Sequence, residues 1–136
     1  MRRLILLLCP LLFFVISCGV TKKTDAMVRY ADQNNNQYII TSSTFEYKPI
    51  TEKESSSGTY NGGVPISKAM TSETFSPVLQ LAQEILSNAP KDVRREMLTT
   101  ILSVSTDGIS QRATLKKSKK RAAFEALLQE LRNSSE

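Results

Sequence analysis

The sequence predicts a mostly helical α+β chain. A short extended or hairpin region and a long Ser/Gly loop precede three C-terminal helices packed as a small bundle. Three observations lead there. Tyr38 to Tyr47 is dense in β-favouring residues. Lys48 to Gly63 collects turn-forming residues. From Ser76 onward, apolar residues recur at helical spacing. The apolar run at the N-terminus stands apart from this fold, because it is laid out as an export signal.

Arg2 and Arg3 give that signal a positive start, Leu4 to Ile16 is an unbroken non-polar run, and Ser17 and Cys18 close it. A spanning helix needs about 20 apolar residues, more than this run supplies. Pro10 lacks an N–H and would bend a helix there. Val15-Ile16-Ser17-Cys18 resembles the lipobox of bacterial lipoproteins: an aliphatic residue, a small or aliphatic residue, a small residue, then Cys. The resemblance covers these four positions and the signal before them. Leu is commoner than Val at the first position, and Ile is unusual at the second. It implies diacylglyceryl transfer to the Cys18 thiol, cleavage after Ser17 and acylation of the new amine. Two anchoring signals already suffice for stable attachment, so three acyl chains would hold essentially permanently. An ordinary secretory signal and an uncleaved anchor are the other readings; each leaves Cys18 without lipid.

The resemblance divides the chain into a signal at 1–17, a lipidated tether at 18–25, an extended region with its loop at 26–63, and a helical region at 64–136. Losing 1–17, with Arg2 and Arg3, leaves 119 of the 136 residues and lowers the net charge from +5 to +3. That length bounds one small domain with a modest core. Cys9 departs with the signal and Cys18 carries lipid, so packing alone must hold the domain. Where an Asp would follow Cys18 to retain such a protein at an inner membrane, Gly19 stands instead. The resemblance therefore implies the cell envelope, and the outer membrane if the source has two.

Ala26 to Tyr30 reads as a short strand, Asp32 to Gln37 as an Asn-rich turn, and Tyr38 to Tyr47 as the strand that pairs back. Asp32 to Gln37 begins like a calcium loop, but Gln37 replaces the sixth-position glycine and Ser43 the twelfth-position glutamate, so it is a polar turn. Tyr38, Tyr47 and Tyr60 fill core in preference to lining a ligand groove. Tyr60 lies mid-loop, placed to pin it.

The first helix is capped by Ser76 with Pro77 as its first residue. Val78, Leu81, Ala82, Ile85 and Ala89 form its apolar face, and Pro90 ends it. A second helix runs from about Pro90 to Ser105, with Val93, Met97, Leu98, Ile101, Leu102 and Val104 facing in and Arg94, Arg95 and Glu96 facing out. Asp107-Gly108 stops it. The third, capped by Ser118 or Ser110, ends near Asn133 and packs through Ala123, Phe124, Leu127, Leu128 and Leu131.

Arg112, Lys116, Lys117, Lys119, Lys120 and Arg121 form a basic segment, with no acidic residue between Asp107 and Glu125. Positive charge early in a helix opposes its dipole, so local stability does not account for it. A solvated helix start accounts for the segment simply. A contact with anionic lipid or envelope polymer accounts for it functionally, at about 1 kcal/mol per cation. Nucleic acid is not expected, because no aromatic residues are interleaved. There is no His, and neither a nucleophile pair nor a zinc set of the usual ligands can be assembled. Glu84, Glu96, Glu125 and Glu130 scatter over helix surfaces. The expectation is a non-enzymatic envelope lipoprotein without a cofactor, held to a membrane through Cys18. It serves as a structural or protein-interaction module, with an envelope protein as partner. Alternatively it is a binding module that applies the basic segment to an anionic surface.

Overall fold

A computed structural model describes residues 26–90 and 94–134. The signal, Cys18 and the tether through Asp25 lie outside the described residues, as does Val93 of the expected second helix. Eight elements follow one another: β1 (Met27–Ala31), β2 (Gln37–Thr41), β3 (Thr44–Lys48), β4 (Ile66–Ala69), α1 (Ser72–Asn88), β5 (Thr100–Thr106), β6 (Ile109–Leu115) and α2 (Lys119–Asn133). The strands form one antiparallel sheet in the order β4-β3-β2-β1-β5-β6, and the two helices pack on one face of it.

Period-two alternation builds that face. Val28 and Tyr30, Tyr38 and Ile40, Phe45 and Tyr47, and Leu102 and Val104 all point to the helices and are buried. The register stacks them in rows: Val28 lies between Ile40 and Val104, and Tyr30 between Tyr38 and Leu102. From above, α1 contributes Phe75, Val78, Ala82 and Ile85, and α2 contributes Phe124, Leu128 and Leu131. This buried cluster runs from Val28 to Leu131, so residues 26–134 carry a core of their own. The other sheet face alternates outward with smaller and polar side chains such as Thr41, Arg29, Ser103 and Arg112.

The three-helix bundle is overturned. The expected second helix is strand β5, and its supposed stop is a hairpin turn. Asp107 and Gly108 have φ of 51° and 79°, the left-handed pair of a type I′ turn, and Thr106 pairs with Ile109 across it. Leu102 and Val104 do face the core, but so does Thr100, opposite Leu115, which only period two explains. Met97 and Leu98, assigned to a buried helix face, are instead exposed in the connection before β5. Among the described residues, the region from 64 onward therefore holds three strands and two helices.

Tyr38 to Tyr47 is two strands, not one, folded about Ser42 and Ser43. Thr41 Oγ1 accepts the Thr44 amide at 3.0 Å and closes that turn. Helix α1 starts earlier than Ser76: Thr71 caps it by accepting the Thr74 amide, and Pro77 lies inside it. Phe75 needs the earlier start, since it is buried in the core from the first turn. Ala89, extended before Pro90, ends the helix. Ser118, rather than Ser110, caps α2 by accepting the Arg121 amide at 3.1 Å.

The loop after β3 is tied at its base by one buried side chain. Asn36 Nδ2 donates to Asp32 Oδ2 (2.7 Å) and to the Tyr60 hydroxyl (2.8 Å), while its Oδ1 accepts the Ile50 amide (3.1 Å). Gly62 closes the loop against the same group; a Cβ there would lie 2.1 Å from Asn36 Oδ1. Asp32 Oδ1 accepts the amides of Asn34 and Asn36, so the turn from Asp32 to Gln37 organises itself through one carboxylate.

Buried tyrosines give the fold an alkaline limit. Burial, with the nearby Tyr47 and Asp32 adding to it, pushes the Tyr38 hydroxyl from 10.0 up to about 12. Burial and then the bond to Glu125 drive Tyr30 higher still, and burial raises Tyr47. The folded state holds these protons more tightly than the unfolded chain, so the stability is complete below pH 10 and is lost as pH rises toward about 12. A titration following tyrosinate absorbance and circular dichroism together should show most tyrosine ionising only as the fold is lost. Full ionisation near pH 10 with the dichroism unchanged would contradict it.

Candidate functional site

One end of the sheet gathers three loops: the β1–β2 turn, the connection into β5, and the link from β6 to α2. Two contacts join them. Arg121 Nη1 donates to the Leu98 carbonyl at 2.7 Å, and Arg95 Nη2 donates to Asn35 Oδ1 at 3.3 Å.

The basic segment divides among four environments here. Arg121 does not face solvent. It is 4% exposed, donates from Nε to Glu125 Oε1 at 2.9 Å, and reaches the Leu98 and Leu115 carbonyls with Nη1. Burial works against its charge, but the bond to Glu125 and that carboxylate's charge outweigh burial and hold the guanidinium above its ordinary value. Lys120 pairs with Glu84 of α1 at 2.7 Å. Arg112 lies mid-strand opposite Ser103, on the sheet face away from the helices. Lys116, Lys117 and Lys119 remain exposed around the start of α2, and none has an ion-pair partner among the described residues. The first turn of α2 contains no acidic residue. The fold itself thus gains nothing from these three charges.

The connection into β5 adds what the sequence reading placed on a helix. Arg94 and Arg95 are exposed, Met97 is 92% exposed, and Leu98 is 55% exposed. This apolar tip is held in place. Thr99 Oγ1 donates to the Glu96 carbonyl at 2.6 Å and accepts the Glu96 amide at 3.1 Å, closing the turn. Leu98 has φ of 66°, a left-handed conformation that costs a branched residue about 1–2 kcal/mol. The Arg121 bond to its carbonyl fixes that conformation from beneath. Hydropathy alone could not reveal this tip, because Met97 and Leu98 are as apolar as any core residue. The left-handed turn that expels them is a property of the folded connection.

Beside the tip, a groove of about 800 Å³ runs between the β1–β2 turn and α2. Asp32, Gln33 and Asn34 form one wall and Lys117 and Lys119 the other, over a floor that includes Tyr30, Tyr38 and Leu128. Tyr30 donates to Glu125 Oε1 at 2.5 Å, so that carboxylate oxygen receives both Tyr30 and Arg121. Tyr38 accepts from Gln129 Nε2 at 3.2 Å. Tyr38 is therefore both core and groove floor, Tyr47 is core beneath Arg132, and Tyr60 is the loop pin. Glu125 is committed to Tyr30 and Arg121, and Glu84 to Lys120. Among the described residues, no group of three acidic or cysteine side chains could hold a metal ion. No helix among them is long and apolar enough to cross a membrane.

No family model matches the chain, and neither a curated protein nor a solved structure does so.

Proposed function

We propose that this chain is a small envelope lipoprotein, anchored in a membrane through lipid on Cys18, whose folded domain is an interaction module. The lipobox-like Val15-Ile16-Ser17-Cys18 supports the anchor and the location. One observation supports the module: Lys116, Lys117 and Lys119 stand exposed, without ion-pair partners among the described residues, at one end of the domain, where they oppose the α2 dipole. Charges that the fold does not use are available to a partner. The surface they make suits an anionic one, and no chemical step is assigned to the domain.

The anchor is tested by Cys18→Ala. The variant should leave the membrane fraction and accumulate as an unprocessed precursor, whereas the parent chain should fractionate with membranes and label with fatty acid. A variant that matures and fractionates as the parent does would remove the lipoprotein reading.

A further inference from the structure

We infer that the end of the domain carrying Met97, Leu98, Lys116, Lys117 and Lys119 is a peripheral docking site for an anionic phospholipid bilayer. The inference deepens the interaction-module reading and rests on it for the location of the chain. Two kinds of group converge here. The lysines, with Arg94 and Arg95, supply positive charge, and Glu96 is the one acidic side chain among the described residues of that connection. Met97, 92% exposed, and Leu98, 55% exposed, supply apolar side chains to the same end. A soluble polyanion would satisfy the cations and leave the apolar tip in water. A bilayer satisfies both, with head groups meeting the cations while the tip enters the acyl boundary.

The tip is built to stay out. The Thr99 turn and the Arg121 bond to the Leu98 carbonyl fix its backbone, so docking orders little that is not already ordered. Arg121 belongs to the same first turn of α2 as Lys119, so one side chain couples the apolar tip to the cationic helix start.

Chain direction is compatible with this. Strand β1 begins at Met27 opposite Ser105, near the β5–β6 turn, while the docking end lies beyond Thr100 and Leu115. The five residue steps from Ser105 to Thr100 span about 17 Å. The eight steps from Cys18 to Ala26 reach at most about 28 Å. A tether of that length lets the docking end lie on the bilayer that holds the lipid.

The test uses residues 18–136 with Cys18→Ser, so that no acyl chain contributes, and vesicles of phosphatidylcholine with or without phosphatidylglycerol. The chain should sediment with the anionic vesicles, fail to sediment with the zwitterionic ones, and be released by salt. Met97→Asp should weaken the partition about tenfold. The triple variant K116Q, K117Q and K119Q should weaken it about a hundredfold. Both act at exposed positions, and circular dichroism checks that the fold persists. Binding that ignores Met97→Asp would show that charge alone carries the contact, leave the apolar tip without a role and overturn the docking site as described. Absence of binding to anionic vesicles would also overturn it. Neither outcome bears on lipidation, which Cys18→Ala reads separately.

Discussion

Arg121→Ala is expected to destabilise the domain by about 3 kcal/mol, the cost typical of removing one partner from a buried charge pair. The loss should register as a lower midpoint in urea unfolding. At 4% exposure, the guanidinium is the hub for Glu125, the Leu98 carbonyl and the Leu115 carbonyl. Truncation strands the Leu98 carbonyl in a strained turn and leaves Glu125 with Tyr30 alone. The side chain of Glu125 is 37% exposed and can recover some hydration, so the lower end of the range applies. The same variant should weaken vesicle binding although Met97 and the three lysines are intact, because the tip loses its support. A loss below about 1 kcal/mol would mean that the pair behaves as a surface ion pair and the hub description is wrong.

Asn36→Ala should cost a similar amount, about 3 kcal/mol, through a different route. It removes the partner of the Ile50 amide and two donor bonds, one to Asp32 and one to Tyr60. The expected signature is local as well as global. The loop from Lys48 to Gly63 should become the first site of cleavage in limited proteolysis, since its base is no longer tied. Gly62→Ala offers a cross-check. In the parent chain its Cβ would collide with Asn36 Oδ1 at 2.1 Å, but in the Asn36→Ala background that collision is absent. The two substitutions together should therefore cost less than their sum. Additive losses would show that Gly62 is constrained by Pro49, whose Cβ is 2.7 Å away, and not by Asn36.

The N-terminal strands were legible because their alternation has no helical competitor. Val28 and Tyr30, then Tyr38 and Ile40, repeat at period two around a turn rich in Asn. Asn133 was legible as the end of α2 from its 3.6-residue apolar face, but the choice between Ser118 and Ser110 as its cap was decided only by the fold. The stretch from Ile101 to Val104 was not. Ile101, Leu102 and Val104 fit either period over so short a window, and only the β-branched density from Thr99 to Thr106 favoured a strand. Asp107-Gly108 ends a helix or turns a hairpin equally well, since both uses need a left-handed backbone. What decided the matter was burial of Thr100 with Leu102 and Val104 on one face of the strand.

The basic segment was visible as a cluster, but its division was not. Arg121 and Lys119 differ by about 200° around a helix, so one faces the core and the other solvent. Which of the two is buried depends on where β6 ends and where Glu125, Leu98 and Tyr30 come to lie. By itself the sequence determined the lipobox-like Cys18, the β1–β2 hairpin, the Ala89–Pro90 break and the two real helices, because each rests on local chemistry. The tertiary structure alone decided the six-stranded sheet, the buried Arg121 and the exposed Met97–Leu98 tip. Each of those depends on pairing between segments far apart in the chain, and local spacing carries no information about it.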